Sequence, residues 1–346
     1  MEKKIKTMID QINKRLAKLD FEALWTEFHY IRYALYTKTT VYFDNGDITS
    51  WNQRFMGNTA IEYNNRFLAI WNIEADEYKD ADVFTSKLVH EMFHAFQREK
   101  QEIRWANEIK GLFYRYDLTN MALKHQENEL LCQCLEAYEQ QDWDDFISLR
   151  LYRNSQFAEN VKYETQVEVI EGMAQYIEIK ALKRLSITKG HKALQKIVES
   201  LKNPDNLFPI RRSCYNSGTI LCLVAELAGM TIRHVIGSET LTIFELLAKD
   251  GKYKVFVAED ENMAALVEKY DLYRKLTIEK AIAKATSIIE GNFELTGLDP
   301  MNTFVYKQWI HCHHFVMYQD QETAKIIQKP CVLVVNEQNT ILKIYS

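Results

Sequence analysis

Apolar residues at the start of the chain recur with a helical period. Ile5, Met8, Ile9, Ile12, Leu16 and Leu19 form one stripe in MEKKIKTMIDQINKRLAKLD, which predicts an amphipathic helix. A second helix is expected over roughly Phe21–Thr37. From Thr39 to Ile73 the pattern changes. TTVYF is β-branched and aromatic and leads towards Asn45-Gly46, a strong turn signal. TAIEYNNRFLAIWNIE reads as a hairpin turning at Asn64-Asn65. These residues predict a small antiparallel sheet just before the next helix.

After Asp80 the pattern is helical for about two hundred residues, with candidate helices near 81–110, 120–140, 142–156, 160–185, 190–202, 217–229, 240–249 and 262–290. Two prolines in NPDNLFP (203–209) mark a loop. FELTG, TFVYKQWIHCHHFVMYQ, KPCVLVVN and TILKIYS then read as strands, with a hairpin loop at 336–339. The expected fold class is mainly α, of the α+β kind. Its parts are N-terminal helices (1–40), a central unit (41–290) and a C-terminal β segment (291–346) packed on the helical body.

Composition narrows the function classes. The chain has 346 residues, 47% of them hydrophobic, with only 11 Gly and 4 Pro. It is long enough to bury a sizeable core, and too apolar for disorder. So few Gly and Pro exclude a collagen-like or turn-rich all-β design. Lys and Arg number 43 against 48 Asp and Glu, which leaves no electrostatic footprint for nucleic acid. The N-terminus lacks the apolar run of a signal peptide, and no stretch approaches a membrane span. Six sparse cysteines with no C-x-x-C pair point to reduced thiols in a cytoplasmic protein.

The chemistry concentrates in SKLVHEMFHAFQRE, where His90-Glu91-Met92-Phe93-His94 is an H-E-x-x-H motif. One helical turn brings the two imidazoles to a single tetrahedral metal, and Glu91 projects beside them. Zinc there lowers a water's pKa towards about 7, and a glutamate can take the proton. Leu88, Val89, Phe93 and Phe96 bury the helix, and buried imidazoles need partners. Zn2+ is therefore the expected cofactor.

A catalytic zinc takes a third protein ligand. QREKQEI follows His94, so a third histidine at the usual downstream spacing is absent. The best supplier is YETQVEVIEGMAQYIEIKAL (163–182). On a helical projection Glu171 and Glu178 edge its apolar face, while Glu164 and Glu168 lie further round, towards expected solvent. Glu171 is the expected ligand, with Glu168 the runner-up. Glu178 is a candidate partner for a histidine N–H. Gly172, costly in a helix, points to a close helix approach.

H-E-x-x-H followed by Glu171-Gly172-Met173-Ala174 resembles the glutamate zincins (gluzincins), specifically the branch of membrane-alanyl-type aminopeptidases. Tyr215-Asn216-Ser217-Gly218, leading into TILCLVAELAG, is similar to a second element of that family. The resemblance implies a zincin-like catalytic domain over 41–290. It implies zinc held by His90, His94 and Glu171, with Glu91 as general base and Tyr215 as oxyanion donor. Two departures stand out. The 76 residues between His94 and Glu171 imply a helical insertion over about 105–160, and Ile170 stands where the family has Asn. Glu62 is the nearest analogue of the family's amine-gripping glutamate, but its turn context does not carry aminopeptidase activity over.

His311, His313 and His314 cluster on a predicted strand, with His311 and His313 on one face. A structural or surface role is expected for them. The resulting expectation is a zinc metallopeptidase acting on a peptide or protein substrate. A non-catalytic zinc-stabilised binding protein and a zinc hydrolase of a non-peptide amide are the alternatives.

Overall fold

A computed structural model describes all residues except 1, 75–79, 234–235, 250 and 259–261. Helix α1 (Glu2–Leu16) buries the predicted stripe Ile5, Met8, Ile9, Ile12 and Leu16. The second expected helix is only one turn, α2 (Phe21–Leu24), capped by the Asp20 carboxylate on Ala23 N–H. Glu27 then takes a left-handed φ of 62°, which a continuing helix cannot absorb. The remainder becomes β1 (Tyr33–Tyr36), whose four residues are all buried. An apolar run that short carries no period that separates strand from helix.

Strands β2 (Thr40–Phe43), β3 (Ile48–Ser50), β4 (Thr59–Tyr63) and β5 (Arg66–Asn72) complete a five-stranded sheet in the order β3-β2-β1-β5-β4. β1 lies parallel to β5, so the sheet is mixed and not antiparallel throughout. The β4–β5 hairpin turns at Asn64 and Asn65, both at positive φ.

The helical body follows. Helix α3 (Ala81–Glu99) starts on the Asp80 cap and stops before Gln101, at φ 56°, short of the expected end. Next come α4 (Glu108–Leu112), α5 (Leu118–Glu136), α6 (Gln140–Gln156) and α7 (Ala158–Val167). A π-helical turn (Glu168–Gly172) joins α7 to α8 (Met173–Leu185). Then follow α9 (Ile187–Lys202), α10 (Ile210–Leu227), α11 (Ile243–Leu247) and α12 (Met263–Lys284). Helix α3 is sandwiched between β5 and α8 and is buried on nearly every side.

The chain ends in β6 (Ile288–Leu298), β7 (Thr303–Tyr306), β8 (Trp309–Cys312), β9 (Val316–Asp320), β10 (Thr323–Ile327), β11 (Cys331–Val335) and β12 (Thr340–Tyr345). They form one antiparallel sheet with its own apolar core, in the order β10-β9-β6-β12-β11-β8-β7. The fold is thus mainly α, of the α+β kind. Among the described residues no helix is long and apolar enough to cross a membrane. All six cysteines are free and buried.

Candidate metal centre

His90, Glu91 and His94 sit on the inner face of α3, and Glu171 reaches them from the π-helical turn. His90 Nε2 and His94 Nε2 are 3.1 Å apart. Glu171 Oε2 lies 3.1 Å from the His94 nitrogen and 3.5 Å from the His90 nitrogen. Ligands about 2.0–2.1 Å from a tetrahedral zinc stand about 3.3 Å from one another. The three atoms therefore already form one face of such a tetrahedron. Among the described residues this is the one group of three or more metal-ligating side chains so arranged.

The surrounding hydrogen bonds aim those atoms. The Gln97 amide nitrogen donates to the carbonyls of Val169 and Ile170, at 3.4 and 3.1 Å. That fixes its oxygen towards His94, whose Nδ1–H donates to it at 2.8 Å. The Nε2 lone pair of His94 is consequently free to face a metal. Glu178 Oε2 stands 3.2 Å from His90 Nδ1, at ion-pair distance but without hydrogen-bond geometry. Arg211 Nη2 donates to Glu171 Oε1 at 3.0 Å and also lies 3.0 Å from Glu108 Oε1.

The charges respond to this crowding. Burial would lower the His90 imidazole, but Glu171 and Glu178 push it up to about 10. Burial would raise the Glu171 carboxyl, yet His94, His90 and Arg211 hold it well below the usual carboxylate range. Glu91 is pushed up by burial. The Tyr215 phenol is pushed far up by burial and by the nearby Glu171. An ionised carboxylate facing two imidazole nitrogens is a donor set that could hold a divalent metal ion, zinc among them.

Backbone geometry explains how Glu171 gets there. Gly172 and Gly218 meet where the π-helical turn crosses α10. A Cβ on Gly172 would lie 2.5 Å from the Gly218 Cα, and one on Gly218 would lie 2.8 Å from the Glu168 carbonyl oxygen. The close approach expected at Gly172 is therefore a backbone-to-backbone crossing. π-turns inserted in α-helices are frequent at functional sites because they rotate side chains out of register.

Glu168, the runner-up ligand, is placed elsewhere. It takes two hydrogen bonds from Arg150 at 2.7 and 3.0 Å and one from Ser217 Oγ at 2.5 Å. Glu164 is bonded to Arg153 and to Tyr114 Oη. Arg150 and Arg153 both also reach Glu127, and Lys124 Nζ lies 3.4 to 3.8 Å from all three carboxylates. These six side chains are at most 1% exposed. Glu164 and Glu168 are thus in the interior, not on the solvated face that the projection suggested. The cause is the insertion: α5 and α6 fold over α7 and bring three cations to meet them.

His90, Glu91, His94, Glu171, Glu178 and Tyr215 all line one cleft of about 650 Å³. Tyr215 stacks beside His90, with ring centroids 6.4 Å apart, and the Arg211 guanidinium lies over the Tyr215 ring, 5.4 Å from its centroid. Asn58 and Thr59, at the start of edge strand β4, line the cleft as well, whereas Glu62 does not. His311 and His313 line a different cavity. Gln97 and Arg211 were not anticipated. Arg211 is one turn before Tyr215, but the expected start of this helix at 217 hid that relationship; the helix begins at Ile210.

No protein-family model, curated protein or solved structure matches this chain. Its functional reading rests on the chemistry of this cleft.

Proposed function

We propose that the chain is a zinc-dependent hydrolase of peptide bonds, similar in its chemistry to the gluzincins, with a zincin-like unit around α3. The observation that carries this reading is the triangle of two imidazole nitrogens and one carboxylate oxygen at tetrahedral spacing. His90, His94 and Glu171 would hold the ion. When bound, zinc supplies Lewis acidity, polarising a carbonyl and lowering the pKa of water towards about 7.

The chain's own groups supply the rest. Glu91 takes the proton of the attacking water and delivers it to the leaving amine. Burial raises its carboxyl, which suits a group that must both accept and return a proton. Tyr215 stays protonated and donates its phenolic O–H to the developing oxyanion. Edge strand β4 offers unpaired backbone groups beside the cleft, which favours an extended peptide as substrate. Three ligands with no fourth among the described residues favour a catalytic site over a closed structural one. Six buried free thiols fit a reducing compartment such as the cytoplasm.

The test is metal analysis of the purified chain together with the Glu91→Gln variant. One zinc per chain is expected, with peptide hydrolysis abolished in the variant while the zinc is retained. Absence of stoichiometric zinc, or unchanged hydrolysis in the variant, would overturn the reading. A zinc-loaded chain that leaves peptide libraries intact but hydrolyses small amides would reassign the substrate.

A further inference from the structure

A second cavity, of about 800 Å³, lies between α12, the β7–β8 edge of the C-terminal sheet and the start of α10. Its volume is within the range of small-molecule sites. One face of α12 lines it, with Tyr273, Thr277, Lys280 and Lys284 following at helical spacing. Arg212 adds a third cation from α10. None of the three cations has an ion-pair partner among the described residues, and no Asp or Glu side chain lines the cavity. The main-chain oxygen of Ser346 is taken up by the N–H groups of Thr286 and Ser287.

The opposite wall is aromatic. Phe304 stacks on His311 with centroids 5.0 Å apart at 18°, and Tyr273 lies 5.7 Å from Phe304. His311 is only 5% exposed, and its Nδ1, shut off from solvent, has no hydrogen-bond partner among the described residues.

We propose that this cavity binds a small molecule that joins a flat aromatic ring to a phosphate, as a nucleoside monophosphate does. Arg212, Lys280 and Lys284 hold the phosphate through charge-assisted hydrogen bonds. Tyr273 and Phe304 support the ring, on a wall that the His311 ring completes. The site is separate from the metal centre, although the two are neighbours: Arg211 lines the metal cleft, Arg212 lines this cavity, and Met301 borders both. The proposal does not depend on the hydrolase reading.

Calorimetric titration of the full chain with adenosine monophosphate, adenosine and inorganic phosphate tests it. The monophosphate is expected to bind once per chain, at least tenfold more tightly than either fragment. The double variant Arg212→Ala, Lys284→Ala should weaken it at least tenfold. Tyr273→Ala should weaken the monophosphate while leaving inorganic phosphate unchanged. Lys275→Ala, on the same helix but outside the cavity, should change nothing. The proposal is overturned by a monophosphate that binds no better than adenosine, or by the double variant binding like wild type. Much tighter binding of a single-stranded oligonucleotide would also overturn it, in favour of a nucleic-acid surface.

Discussion

Gln97 accepts a 2.8 Å hydrogen bond from His94 Nδ1 while its amide nitrogen holds the backbone of the π-helical turn. One buried side chain thus sets the tautomer of one proposed ligand and the position of the segment carrying another.

Replacing it should therefore loosen the metal without removing a ligand. Gln97→Leu keeps the approximate volume but lets the imidazole turn. Zinc affinity should fall about 10–100-fold, the range for lost partners of ligating histidines. Competition against a chromophoric chelator measures this, and unchanged affinity would show that Gln97 does not orient His94.

Glu171 and Glu168 sit three residues apart and should fail in opposite ways. Glu171→Gln should abolish stoichiometric zinc at modest cost in stability. Glu168→Gln should keep the zinc but destabilise the fold by about 3–5 kcal/mol, because the buried cluster is left with three cations against two carboxylates. Metal analysis alongside urea unfolding distinguishes them. Loss of zinc only in the Glu168 variant would reverse the ligand assignment.

Tyr215→Phe removes one hydroxyl and keeps the ring beside His90. As an oxyanion donor it should lower kcat by about 10²–10³ with little change in KM or zinc content. A change confined to KM would mean that the phenol only binds substrate.

The crossing at Gly218 leaves no space for a methyl group. Gly218→Ala should destabilise the fold by about 1–3 kcal/mol, as overpacked sites do, and should weaken zinc as Glu171 is displaced. Thermal unfolding with and without chelator gives both numbers. A variant as stable as wild type would show that the two segments separate easily.

Acid should unfold the zinc-free chain through Glu164. Burial opposes ionisation of this carboxyl, but Arg153 and Lys124 hold it well below the usual carboxylate range. A folded pKa below the unfolded one means that protons bind preferentially to the unfolded chain. The stabilisation is complete above the ordinary carboxylate pKa, about 4.3, and drains away as pH falls below it. Urea midpoints between pH 7 and 3 should drop steeply for wild type. They should drop less for Glu164→Gln, which is already weakened at pH 7; equal slopes would exclude the carboxyl as the source.

The proposed site residues were legible in the sequence because each sits in a local pattern. His90, Glu91 and His94 lie within one turn and a half of helix, and Glu171 follows from the apolar edge of another. Contributions from distant segments were not legible. No projection of α7 shows that Lys124, Arg150 and Arg153 will cover Glu164 and Glu168, since burial is decided by helices elsewhere in the chain. β1 was hidden for a similar reason: Tyr33 and Leu35 are buried in one apolar cluster and Ala34 and Tyr36 in another, on the opposite face of the sheet. Arg211 is not legible because the apolar pattern points to a helix from 217, seven residues after the true start at Ile210.

The cluster of Lys124, Glu127, Arg150, Arg153, Glu164 and Glu168 carries three positive and three negative groups in the buried interior. Losing any one leaves the others out of balance. In a lineage descended from this chain, exchanging these residues one at a time therefore costs stability that exchanging them together avoids. The long interval between His94 and Glu171 is accordingly no free insertion: its loops can drift in length, while α5 and α6 are inherited with the turn they hold.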